Sequence, residues 1–162
     1  MHLTRFTDYG LRTLIYLALE PDRVASIAEI AVAYRISESH MTKVINALGR
    51  AGLIETLRGR NGGIRLVRPA TSIGLGEVVR ATEPEMALVE CLSGADCAIT
   101  DLCRLRPIMQ EAAAALLYTL DRYTIADIAG PRSAALQRRL GLTTSAIKGK
   151  IGPVDASNPA SV

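Results

Sequence analysis

The chain has no tryptophan and one phenylalanine, and aromatics make up only 4 % of its 162 residues. Leu, Ile, Val and Ala must therefore fill the interior, which is the composition of a mostly helical protein. Histidine is scarce too. His2 and His40 lie far apart and neither belongs to a nucleophile–base arrangement, so the chain reads as a non-enzyme. Long apolar runs are missing: Leu14 to Leu19 is too short to cross a bilayer, and the residues after Met1 lack signal-peptide form. A cytoplasmic protein without a membrane partner is expected. Cysteine is confined to three positions, an odd number in a compartment that keeps thiols reduced, which argues against a disulfide framework. No internal repeat is present.

What is present is divided by charge. Residues 1–70 carry ten Lys/Arg against six Asp/Glu, residues 71–130 four against nine, and residues 131–162 five against one. The basic first part is an electrostatic footprint for phosphate, and the acidic middle is not. Three segments follow: a reader at 1–70, a cysteine loop with a long helix at 71–130, and a basic tail at 131–162 expected to lack structure.

Helical periodicity predicts a first helix over 5–20, with Leu11, Leu14, Ile15 and Ala18 on one face. Ser26 and Glu29 have capping-box spacing ahead of a second helix over 27–34. A third, over 38–51, places Met41, Val44, Ile45 and Leu48 inward and Ser39, Lys43, Asn46 and Arg50 outward. Two short helices joined by a tight turn form a helix-turn-helix. Gly52 stops the third helix. Strands over 53–57 and 64–67 then flank Arg58-Gly59-Arg60-Asn61-Gly62-Gly63, whose Asn-Gly pair predicts a tight hairpin and hence a basic wing. The fold class is mostly α (α+β): a winged helix-turn-helix, a cysteine-bearing loop and a long dimerisation helix.

Ser37, Ser39, His40 and Lys43 stand at the start of the third helix, where a groove-bound helix reads bases. Arg58, Arg60, Asn61, Gly62 and Arg65 belong to the wing, placed for phosphate or the minor groove. A single reader covers few base pairs. The stripe Leu105, Ile108, Met109, Ala112, Leu116 and Leu120 supplies a dimer surface, so a homodimer on palindromic double-stranded DNA is expected. A winged helix that binds protein is the rival reading.

Cys91, Cys97 and Cys103 are separated by five residues each. Structural zinc sites usually space cysteines two to four apart. Thiolates on a loose loop suit an iron–sulfur cluster better, and Gly94, Ala95 and Ala98 loosen this one. Zinc and idle thiols stay open as alternatives, as does an iron–sulfur electron carrier, although that leaves the wing without a purpose. Three thiolates leave one iron short of a ligand. Asp96, Asp101 and Glu90 are near in sequence, and Asp8 is distant.

Leu3-Thr4, Phe6-Thr7-Asp8-Tyr9-Gly10-Leu11-Arg12, Arg58-Gly59 through Gly62-Gly63, the run Gly76 to Glu83, Leu88 to Cys91 and Tyr123 to Asp127 together resemble the NsrR-type repressors of the Rrf2 superfamily, over about residues 1–130. The resemblance implies an iron–sulfur repressor that senses nitric oxide, with a 4Fe-4S cluster (2Fe-2S as the alternative). It also implies that Asp8 from the other subunit is the fourth ligand, with Arg12 as its coupling partner. Regulators of the IscR type would place a histidine where Arg106 stands. Those of the RirA type, which sense iron, resemble the first helix less. Iron or redox sensing is the alternative within the superfamily.

Overall fold

The structure is a computed structural model that describes residues 2–59, 62–83, 86–130 and 133–142. Helix α1 (Arg5–Leu19) is its axis. Thr4 caps it by accepting the Thr7 N–H, and Leu14 and Leu17 face inward. Helix α2 (Ile27–Tyr34) follows, then α3 (Glu38–Arg50), strands β1 (Ile54–Leu57) and β2 (Gly63–Leu66), and α4 (Leu75–Thr82). The cysteine segment is irregular, with short 3-10 turns at Glu90–Ser93 and Thr100–Leu102. It leads into α5 (Leu105–Leu120), α6 (Ile125–Ala129) and α7 (Ser133–Arg139).

One core runs through these elements. Leu14, Ile30, Met41, Leu48, Leu53, Ile64, Ile73 and Ile125 are sealed from solvent. Each contributes roughly 1.5–3 kcal/mol by leaving water. Ile73, Val78 and Ile125 come from beyond residue 70, so the core extends past the segment expected to read DNA. α6 is seated by Thr124, whose hydroxyl accepts the Asp127 N–H while the Asp127 carboxylate accepts the Thr124 N–H at 2.7 Å.

Two turns shape the reader. Between α2 and α3 the chain reverses at Arg35, with φ 55° and ψ 43°, the one non-glycine residue at positive φ among the described residues. An L-residue in this left-handed region costs about 1–2 kcal/mol. The hairpin falls where expected, with β2 beginning one residue early. Leu57 pairs with Gly63, so five residues bridge the strands, with Gly59 at φ 112°. At the wing base Ala25 forms an isolated antiparallel bridge with Ile64 of β2. A side chain at Gly63 would meet the Ala25 carbonyl, since a Cβ there would lie 2.5 Å from its oxygen.

The stretch after residue 130 also departs from expectation. It begins with helix α7, because Leu136, Leu140 and Leu142 have a surface to cover. Leu142 is buried, and the Gln137 amide donates to the Leu19 carbonyl at 2.8 Å. Sparse leucines looked insufficient in sequence because their partner is α1, more than a hundred residues away. Residues 143–162 lie outside the described residues. Among those described, no helix is long and apolar enough to cross a membrane.

Candidate nucleic-acid interface and thiol loop

α3 divides as its periodicity requires. Met41, Val44, Ile45 and Leu48 are buried, whereas Ser39, His40, Lys43, Asn46 and Arg50 are exposed. The structure thus gathers Ser37, Ser39, His40 and Lys43 on one wet surface at the start of the helix. Ser37 is the N-cap residue, yet its hydroxyl makes no capping hydrogen bond to the helix backbone. It lies 3.5 Å from the Ser39 hydroxyl. Both hydroxyls are exposed and able to bond a base edge or phosphate.

On the wing, Arg58 is exposed, and Gly62 sits in the loop with its N–H donating to the Gly59 carbonyl at 3.0 Å. Arg65 is engaged. It lies directly across the ladder from Glu55, and its Nε donates to Oε1 at 2.7 Å. Arg60 and Asn61 lie outside the described residues.

The three cysteines are free thiols, each half-buried. Cys91 is in the first 3-10 turn. The Cys97 carbonyl accepts the Thr100 N–H and hydroxyl, and Cys103 closes the second turn just before α5. Among the described residues, no three His, Cys, Asp or Glu side chains converge as a metal site within one chain. The donor set nevertheless suits an iron–sulfur group: three thiols outside any disulfide, on one loop without long regular elements. The loop is also incompletely covered, with Ile99 60 % and Leu102 87 % exposed.

Asp8, on the first turn of α1, is held by Arg12, whose Nη2 lies 2.7 Å from Oδ2. The Arg12 guanidinium also lies 5.9 Å from the Tyr9 ring centre and 5.8 Å from that of Tyr34, the last residue of α2. Burial pushes the Tyr34 hydroxyl up to about 12, against the opposing charge of Arg12. Tyr34 in turn meets Tyr16 edge-on, with ring centres 6.3 Å apart. The Tyr16 hydroxyl donates to Glu29 at 2.8 Å, and Glu29 also accepts from Arg23. A continuous set of contacts therefore runs from Asp8 to both ends of α2.

Residues 3–131 match the sequence profile of the Rrf2 family, described as an iron-dependent transcriptional regulator. The chain belongs to the Rrf2 family. Against the HTH-type transcriptional regulator NsrR of Shouchella clausii it is 48 % identical over 131 residues, covering 79 % of this chain and 88 % of that one. This Rrf2 protein is a transcriptional regulator of the NsrR type. Among solved structures it resembles CymR, the global cysteine regulator of B. subtilis, at 27 % identity and TM-score 0.64, covering 80 % of this chain and 96 % of that one. It also resembles T. potens IscR at 25 % identity and TM-score 0.62, covering 79 % and 85 %. The expected winged helix-turn-helix fold is thereby established.

One link in this Rrf2 chain escaped the sequence reading. Glu83 follows α4 at the entrance to the cysteine segment, and its Oε1 accepts the Thr4 N–H at 2.7 Å and the Thr4 hydroxyl at 3.1 Å. The carboxylate thus caps the positive end of α1 from the far side of the sequence. Nothing local signals a partner 79 residues away. The tyrosines are more accessible to sequence reasoning: three of only five in the chain, Tyr9, Tyr16 and Tyr34, belong to α1 and α2.

Proposed function

We propose that the protein is a homodimeric transcriptional repressor that binds palindromic duplex DNA and answers to nitric oxide. Residues 1–70 read DNA, 71–130 sense and dimerise, and the basic remainder from 131 stands apart from both tasks. Cys91, Cys97, Cys103 and the partner subunit's Asp8 would hold an iron–sulfur group, with four irons by resemblance. When bound, such a group would supply iron reactive toward nitric oxide, and the carboxylate among thiolates would be its weakest protein ligand.

The observation that carries this reading is the Glu83–Thr4 tie. It joins the entrance of the thiol loop to the head of α1, the helix that bears Asp8 and Arg12. A change in the loop is therefore felt by α1, and through Arg12 and Tyr34 by α2 of the reader. The NsrR relative supports the same reading. Dimerisation is supported by α5, none of whose sixteen residues is buried in the single chain. Leu105 and Ile108, 50 % and 57 % exposed, continue the apolar surface of Leu102. The alanines from Ala112 to Ala115 leave room for a second copy to approach closely.

Protein reconstituted with iron and sulfide without oxygen should shift a promoter duplex and release it on a stoichiometric dose of nitric oxide. The family's description as iron-dependent favours one alternative, an iron-sensing regulator. Release on iron withdrawal with indifference to nitric oxide would establish that alternative and overturn nitric-oxide sensing.

A further inference from the structure

Four arginines of the reader are occupied within the chain, whereas Arg5, Arg50 and Arg58 on its surface make no ion pair among the described residues. Arg12 pairs with Asp8, Arg23 with Glu20 and Glu29, Arg65 with Glu55 and Arg68 with Glu77. Arg35 differs from these. It is exposed and makes no ion pair among the described residues, although Glu38 stands three residues on.

Its backbone setting is also unusual. The chain leaves α2 through a left-handed residue, with the Arg35 N–H donating to the Val32 carbonyl at 3.1 Å and the Ile36 N–H to that of Ala31 at 2.9 Å. Only Ile36 and Ser37 then remain before α3. Glycine takes this conformation without strain, so an arginine here opposes local preference. A strained, exposed residue with no ion pair among the described residues to reward it points to a use outside the chain. The position names that use. In a helix-turn-helix the first helix crosses the sugar–phosphate backbone and the second enters the major groove, so the turn between them lies over the strand that borders the groove. Val32, 77 % exposed, and Ala28 stand about one and two turns earlier on the outward side of α2 and leave this approach unobstructed.

We infer that Arg35 is a DNA phosphate contact, its guanidinium gripping the backbone where α2 hands over to α3. The inference rests on the DNA-reading function proposed above and adds a residue that the helix face and wing do not include.

The test compares wild-type holoprotein with Arg35→Gly, Arg35→Gln and Arg35→Lys. The probe is a duplex that the wild type has itself selected from a random pool, and affinity is followed across a salt series. Arg35→Gly relieves the turn and should melt at or above the wild-type temperature while binding about tenfold more weakly. Its log–log salt slope should fall by about 0.9, the value of one phosphate. Arg35→Gln should lose the same slope without the gain in melting temperature, and Arg35→Lys should keep it. If the wild type selects a duplex and the Gly and Gln variants match its affinity and slope, the contact is overturned alone. If the wild type selects no duplex, the DNA-reading function is overturned and this contact with it.

Discussion

Arg12 holds Asp8 through two nitrogens, Nε to Oδ1 at 3.1 Å and Nη2 to Oδ2 at 2.7 Å. The pair is four residues apart on a helix and nearly half exposed, a setting worth only about 0.3–0.5 kcal/mol. The carboxylate is thus kept oriented but cheaply released. Asp8→Ala should leave the melting temperature of the metal-free protein almost unchanged, with less than about 1 kcal/mol lost. In reconstituted protein the visible absorbance should decay faster. A variant with unaltered absorbance and operator affinity would remove Asp8 from the ligand set.

Glu83 should act as a positioning residue. Glu83→Gln keeps the size of the group but removes the charge at the head of α1, and caps of this kind are worth about 1 kcal/mol. The expected result is a small loss of stability together with a weakened response of DNA affinity to loss of the iron–sulfur group, read as the ratio of the two affinities. An unchanged ratio would reduce Glu83 to a helix cap.

Gly76 reports on the seat of α5. Arg80 grips Asp121 at 2.7 and 2.6 Å just past the end of α5, and a Cβ on Gly76 would lie 2.0 Å from the Asp121 carboxylate. Gly76→Ala must displace that carboxylate. The pair is exposed and screened by water, and alanine returns about 0.5–1 kcal/mol of helix preference, so global stability should hardly move. Hydrogen exchange at the end of α5 should quicken; unchanged protection there would show that the ion pair does not seat the helix.

The Tyr16–Glu29–Arg23 cluster predicts a pH dependence. Burial raises the Glu29 carboxyl, but hydrogen bonds from Tyr16 and Arg23 outweigh it and leave it below its ordinary 4.5. Its contribution is complete above the unfolded value and is lost as pH falls through the folded one. Hydrogen bonds from Arg80 and from the Thr124 backbone likewise hold Asp121 and Asp127 low, so stability should decline on the acid side. Burial pushes the Tyr16 hydroxyl up to about 12, from 10.0. In that interval the unfolded chain loses a proton that the native one keeps, and stability should fall as pH rises. Urea midpoints against pH for wild type and Glu29→Gln should show a flatter acid limb in the variant; identical limbs would exclude Glu29.

Much of this was legible in the sequence because it is local. The faces of α1 and α3, the Gly52 stop after α3 and the long α5 stripe are set by neighbours within a few residues. The hairpin was legible as well, its strands lying within one residue of the expected bounds. Helix α7 and the Glu83 cap depend on α1 contacts that have no periodicity. At the site, the cysteines announced themselves by isolation. The Asp8–Arg12 spacing was visible, but the tyrosines that extend it to α2 meet only in three dimensions.

The most direct measurement follows one oxygen-free sample in two channels, visible absorbance and affinity for its promoter duplex, during stepwise addition of nitric oxide. The account predicts that the brown chromophore and the affinity are lost together, with matching end points near stoichiometric dose. Protein that stays colourless after reconstitution with iron and sulfide, yet binds the duplex at full strength, would contradict it.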